Sequence, residues 1–184
     1  MHGTNEHPYP WNTVRVCPGC GSKNITIRAD RSVQCKRCGF HLYLNVAAAV
    51  AGLIEDDIGR VLLTVRASDP MQGMLDLPGG FVDPDETAED ALAREIREEL
   101  NLDAQRCSFR YLGSFPNAYP YDGVTYRTLD QAFTCTVKSF APQKLSEEIR
   151  EVRLLKPSEI PLDQVGFDSI RAILQAYLKS RKGA

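Results

Sequence analysis

Long hydrophobic runs are missing from this 184-residue chain. The longest, residues 46–54, ends at Glu55-Asp56-Asp57 and falls far short of the roughly 20 residues a membrane helix needs. The start, Met1-His-Gly-Thr-Asn-Glu-His-Pro-Tyr-Pro10, lacks the basic end and apolar core of a secretory leader. Residues 1–12 therefore read as a flexible tail, and the protein as cytoplasmic with no membrane partner. Histidine is scarce. His2 and His7 sit in the tail and His41 follows a cysteine-rich segment, where it reads as a surface or interface residue, so the three make no catalytic set. Internal repeats and low-complexity stretches are absent, which excludes a solenoid and a disordered chain. What remains is a quarter charged and 43% hydrophobic, the balance of a soluble globular protein with one medium domain and something small.

The formal net charge of −2 conceals an uneven distribution. Residues 13–45 carry six basic side chains (Arg15, Lys23, Arg28, Arg31, Lys36, Arg37) against Asp30, while residues 46–184 are acidic. The basic stretch also holds Cys17-Pro-Gly-Cys20 and Cys35-Lys-Arg-Cys38, a C-x2-C-x14-C-x2-C spacing close to that of four-thiolate zinc sites. Gly21 and Gly39 follow the two pairs and permit the tight turns that aim amides at sulfur. A disulfide pair or a redox dithiol would use the same residues. A cytoplasmic setting argues against the first, and the lack of a strand–helix context against the second. The pattern resembles a zinc ribbon, with strands near 25–27 and 32–34. Four thiolates fill a tetrahedral site and leave no place for water, so a zinc ion there is structural. Cys107 and Cys135 lie in strand-like stretches and read as buried core thiols.

The most informative stretch is acidic. Glu95, Glu98 and Glu99 fall within an arc of roughly 100° on a helix expected over 87–100. Glu95 and Glu99 are an i,i+4 like-charge pair, which costs a few tenths of a kcal/mol on an isolated helix. A divalent cation would remove that repulsion, and oxygen ligands in this number suit magnesium or manganese. Thr87 and Asp90 form a variant capping box. Leu92, Ile96 and Leu100 make the apolar stripe. Three clustered glutamates alone are more often a solvated, salt-bridged face. Gly80, Glu86, Arg94 and the preceding Leu77-Pro-Gly-Gly80 loop turn the balance toward a site.

Together these residues resemble the Nudix hydrolase signature, G-x5-E-x7-R-E-U-x-E-E-x-G-U with U aliphatic. Gly80, Glu86, Arg94, Glu95, Ile96, Glu98, Glu99 and Leu102 match, and Asn101 replaces the glycine that ends the helix in a left-handed conformation. Asparagine is the next best residue for that place. The resemblance implies an α/β/α sandwich around a mixed sheet over 46–184, preceded by the zinc ribbon at 13–45. It implies a pyrophosphohydrolase acting on a nucleoside diphosphate linked to a second group and releasing a nucleoside monophosphate. Glu95, Glu98 and Glu99 would bind Mg2+ or Mn2+, the Gly80 carbonyl would add an oxygen, and Glu86 with Arg94 would brace the loop against the helix. The general base would be a box glutamate or an acid on a later loop, with Glu148 and Glu151 favoured.

Substrate identity is less legible. A ribbon joined to a Nudix domain resembles the NADH pyrophosphatase group and related FAD or ADP-ribose hydrolases. The aromatics of 115–126 read as a loop near the box, with Phe115, Tyr119 and Tyr121 free to stack on a base and Arg127 or Asp130 to meet phosphate or ribose; packing at a hairpin or a dimer contact is the alternative. Clean-up of damaged triphosphates and RNA-cap hydrolysis are other enzyme readings. A nucleic-acid-binding regulator built on the basic ribbon is the reading from a different class. A homodimer is left open.

Overall fold

The computed structural model describes residues 13–103, 108–138 and 145–182. The tail with His2 and His7, and Cys107, lie outside them. The chain divides into two compact units. One comprises the chain up to Val46 with Ala118–Arg127; the other comprises Ala47–Asn117 and Thr128 onward.

In the first unit, β1 (Ile25–Ile27), β2 (Ser32–Cys35) and β3 (His41–Tyr43) make an antiparallel sheet. The third strand is an addition to the expected pair, and it places His41 inside a strand rather than after the ribbon. The register puts Ile25, Ile27, Val33, Cys35 and Leu42 on one face, where Val33 and Cys35 are buried. Gly21 and Gly39 take φ of 69° and 76°, the left-handed values their tight turns need.

The second unit is a six-stranded mixed sheet. Its strands are β4 (Ala47–Glu55), β5 (Val61–Arg66), β6 (Leu75–Asp76), β7 (Arg110–Tyr121), β8 (Val124–Thr136) and β9 (Ile149–Leu155), of which the end of β7 from Ala118 and the start of β8 to Arg127 count with the first unit. β4 runs parallel to β8, and β5 pairs antiparallel with β4, β6 and β9. Proline and asparagine at 116, 117 and 120 suggest a loop there, yet β7 runs through them. β7 ends the strand order, and an edge strand tolerates a proline because no ladder bond is needed on its open side. The turn comes later, at Asp122-Gly123, where φ of 47° and 74° fit a type I′ hairpin.

Helix α1 (Ala88–Leu100) begins at Thr87, whose hydroxyl oxygen accepts from the Asp90 amide (3.1 Å). The Thr87 hydroxyl donates to the Asp90 carboxylate (2.7 Å), so the acid closes the cap on the side chain rather than on the backbone. Asn101 ends the helix in the left-handed conformation the sequence predicts, with φ 53° and ψ 37°. Leu92, Ile96 and Leu100 are fully buried and join Val50, Ile54, Phe133 and Cys135 in one core cluster. Each buried aliphatic stabilises the packing by roughly 1.5–3 kcal/mol. That far exceeds the few tenths lost to the crowded acids that border this stripe. The β4–β8 register pairs Gly52 with Phe133 and Ile54 with Cys135 on this face, and Ala49 with Asp130 on the opposite one. Helix α2 (Asp168–Lys182) covers the opposite face, because the Ser169 hydroxyl bonds Asp130 (2.5 Å) and Ile170, Ile173, Leu174 and Tyr177 are buried. This is the expected α/β/α arrangement. No described helix is long and apolar enough to cross a membrane.

Candidate functional site

The loop before α1 is laid against β4 by backbone hydrogen bonds. Gly52 N–H donates to the Pro78 carbonyl (2.8 Å), Val50 N–H to that of Gly80 (2.9 Å), and Val82 N–H to that of Ala48 (3.1 Å). Gly79 sits at φ 148°, and a Cβ there would strike the Val50 carbonyl. A Cβ on Gly80 would instead strike the Glu95 carboxylate. Glycine at 80 thus lets that carboxylate lie against the main chain. The Gly80 carbonyl keeps one lone pair beyond its bond to Val50.

Arg94 organises the rest. Its Nε and Nη2 grip Glu86 in a two-point bond (2.8 and 3.0 Å), and Nη2 also donates to the Phe81 carbonyl (3.0 Å). Nη1 reaches Glu95 (2.8 Å) and Glu98 (3.3 Å). The guanidinium hydrogen bonds hold the Glu86 carboxyl below its ordinary pKa. The acids facing inward behave oppositely. Burial pushes the Glu99 carboxyl well up; the Gly79 N–H (3.0 Å) opposes this, and the charges of Glu95, Asp76 and Glu148 add to it. Burial likewise raises Glu95, against the pull of Arg94 and with the charges of Glu98 and Glu148. Glu98 is more exposed, with 56% of its side chain accessible against 16% for Glu95.

Glu148 and Glu151 part company. Glu148, in the turn before β9, lies close enough to bear on both Glu95 and Glu99. Glu151 is on β9, not in the loop before it, and accepts two bonds from Arg153 (2.8 and 2.6 Å). Asp76 is the acid that sequence reasoning missed. It is buried, paired with Arg66 (3.0 Å), and accepts the Leu77 N–H (2.9 Å) at the root of the Gly79-Gly80 loop. Burial pushes its pKa to about 6, against the opposing charge of Arg66. A carboxylate inside the short apolar strand Leu75-Asp-Leu77 was the only available signal.

The expected substrate residues are dispersed. Phe115 is half-buried on β7 in the second unit, while Tyr119, Tyr121 and Arg127 belong to the first. They stand on strands rather than on a loop, and Tyr119 and Tyr121 stack on each other with centroids 6.1 Å apart. Asp130 is buried, with its oxygens accepting from Thr128 (2.6 Å) and Ser169 (2.5 Å).

The four cysteines converge. All four sulfurs lie within 4.8 Å of one another, with Cys17 to Cys38 and Cys20 to Cys35 at 3.7 Å. Sulfurs about 2.3 Å from a tetrahedral zinc stand about 3.8 Å apart, whereas a disulfide requires about 2.05 Å. Amides of Cys38 and Arg37 point at Cys35 and lower its thiol toward the thiolate that a metal requires, while hydrogen bonds among the sulfurs and burial raise that of Cys38. Among the described residues, no trio of box carboxylates is drawn as close. Glu95 and Glu99 are oxygen donors whose carboxyls are raised by burial and by neighbouring acids, and together with Glu98 they make a set that fits a hard divalent cation.

A family model described as NUDIX domain matches residues 45–176. An ADP-ribose pyrophosphatase of Methanocaldococcus jannaschii is 43% identical over 144 residues, covering 78% of this chain and 80% of its own length. A NAD-capped RNA hydrolase NudC of Pseudomonas syringae pv. syringae is 28% identical over 92% of this chain; the match spans 58% of that protein, so this chain covers little more than half its length. Among solved structures, a NUDIX hydrolase from Nitrosomonas europaea superposes with a TM-score of 0.67 at 26% identity, covering 93% of this chain and 94% of its own. The NUDIX domain of Shewanella oneidensis NrtR, crystallised with ADP ribose, shares the fold with a TM-score of 0.60 at 22% identity, over 75% and 90% of the two chains.

Proposed function

This chain belongs to the Nudix family, and we propose from that premise that it is a divalent-metal-dependent pyrophosphohydrolase of nucleoside diphosphates carrying a second group. ADP-ribose and NADH-like dinucleotides are the favoured substrates, and a nucleoside monophosphate is a product. The observation that carries the reading is the crowding of Glu95 and Glu99, with Glu148 beside them, against the Gly79-Gly80 backbone. Acids held this way seek a cation. The substrate class is supported by the relative named ADP-ribose pyrophosphatase.

Mg2+ or Mn2+ would be held by Glu95, Glu98 and Glu99, with the Gly80 carbonyl as a further oxygen. Such an ion supplies charge neutralisation for the diphosphate and acidifies a water. The chain's own residues do the rest. Glu99 is fixed by the Gly79 amide and Glu95 by the bare Cα of Gly80. Arg94, held at the other end by Glu86 and Phe81, keeps Glu95 and Glu98 in place and orients them rather than reacting. Glu148 takes the proton of the attacking water, a role that the Arg153 pairing of Glu151 leaves to it. Zinc in the four-cysteine cluster would brace the ribbon and take no part in the chemistry.

The test is product analysis with magnesium or manganese and ADP-ribose, NADH, FAD, NAD-capped RNA and nucleoside triphosphates. AMP from the dinucleotides and ADP-ribose supports the reading. Turnover of triphosphates alone would replace it with the clean-up reading, and no turnover of any substrate would overturn it.

A further inference from the structure

We propose that the ribbon sheet carries a platform for single-stranded nucleic acid, a binding activity separate from pyrophosphate hydrolysis and independent of it. The register fixes the two faces. Opposite the face that holds Val33 and Cys35 lie Thr26, Gln34 and His41 in one row, with Tyr43 and the fully buried Ser32 in the next. Arg28, whose amide bonds the Ser32 carbonyl, extends that side and donates to the Gln34 side chain (3.2 Å).

Two rings crown this face. His41 and Tyr43 lie with centroids 4.5 Å apart and planes inclined by 38°. His41 is anchored through Nε2 to the Ser32 hydroxyl (2.8 Å), while Tyr43 is 55% exposed. An aromatic left open on a polar sheet face offers a flat surface on which an unpaired base can stack, and every base presents one.

Charge selects the partner. All six basic side chains of residues 13–45 are exposed, against the single acid Asp30. A zinc ion with four thiolates carries about −2, which leaves the segment positive. The Arg28–Asp30 pair is long (3.7 Å) and about half exposed. Such exposed pairs contribute little, so a phosphate can take the place of Asp30 at little cost. Stacking favours a single strand over a duplex, whose base faces are already covered.

The experiment is fluorescence anisotropy of the full-length, zinc-loaded protein with a mixed-sequence 12-nucleotide RNA, its duplex, and polyglutamate as competitor. The expected result is salt-sensitive binding of the single strand, with the duplex about tenfold weaker and polyglutamate a poor competitor. Tyr43→Ala weakens binding about tenfold with the salt slope kept, whereas Arg28→Ala lowers the slope by about one. Both variants keep their zinc and the unsubstituted rate on ADP-ribose. Should Tyr43→Ala lose zinc, Tyr43→Leu, which keeps bulk without the ring, carries the same expectation. Duplex or polyglutamate binding equal to that of the strand, or undiminished binding by the Tyr43 and Arg28 variants, overturns the proposal. Because binding is read without turnover, its failure is distinct from that of the hydrolase reading.

Discussion

The sulfurs of the ribbon already stand at the spacing of a tetrahedral ion, whereas the acids of helix α1 are kept in place by an arginine and by backbone contacts. The difference lies in what each unit uses as its core. In the ribbon, the ligand cysteines Cys17 and Cys35 are themselves buried, with Val33 and Ser32. In the Nudix unit a large aliphatic core stands behind the acids and owes nothing to them. One proposed metal site is therefore part of a fold, and the other is an appendage to a fold already complete.

The largest expected effect follows from the ribbon. Four-thiolate zinc binding in small domains is worth about 10–16 kcal/mol, as much as a whole domain's net stability. A strong chelator should therefore unfold residues 13–46 while α1 and its sheet stay protected. Hydrogen exchange reads the two regions separately. Equal loss of protection in both would break the comparison.

The reverse experiment is Glu99→Gln. Glutamine keeps an oxygen for the Gly79 amide and fills the same volume, so the midpoint of thermal unfolding should hold or rise slightly. Losing a carboxylate that holds a catalytic cation should cost several kcal/mol at the transition state. At 1.36 kcal/mol per tenfold, turnover falls on the order of 10³-fold. Steady-state kinetics at saturating magnesium checks it, and near-normal turnover would remove Glu99 from the site.

This division also explains what could be read from residues alone. The helix, its Thr87 cap and its Asn101 stop were legible because each depends on side chains within one turn. The cysteine cluster was legible because its spacing encodes its geometry. Asp76 was not, since its meaning comes from Arg66, ten residues away, and from Glu99 across the fold. The segment around 116–120 was misread because proline signals a turn only where a strand needs the missing N–H, and edge position is a property of the assembled sheet. His41 carried no strand signal beyond three residues, too few for periodicity to show.

Adjacent glycines sharpen the comparison inside the Nudix unit. Gly79→Ala forces a left-handed φ on a Cβ and drives it into the Val50 carbonyl, so the cost is in folding, about 3 kcal/mol or more. Gly80→Ala meets only the far end of the Glu95 side chain, which can swing aside. Stability should then change by less than about 1 kcal/mol while turnover falls with the displaced carboxylate. Chemical denaturation and kinetics on the pair separate the two effects, and equal destabilisation would mean that Glu95 is part of the scaffold.

The smallest expected effect concerns protons. Glu95 and Glu99 bind a proton more tightly in the folded chain than in the unfolded one, because burial and neighbouring acids disfavour their charge. Their contribution is full below the ordinary carboxylate range and is lost as pH rises through the raised folded values. Glu86, lowered by Arg94, works the other way: its contribution is present above the ordinary range and disappears as pH falls through the depressed value. The metal-free protein should therefore lose a little stability as pH rises above the ordinary carboxylate range, and magnesium should restore it. Thermal melts should show a larger magnesium shift at pH 8 than at pH 4.5, because Glu95 and Glu99 hold their protons to higher pH than an ordinary carboxyl. The ribbon, closed by sulfur, should show no magnesium shift at either pH. A shift of equal size at both pH values would mean that the acids of α1 are charged throughout, and that burial does not set their cation affinity.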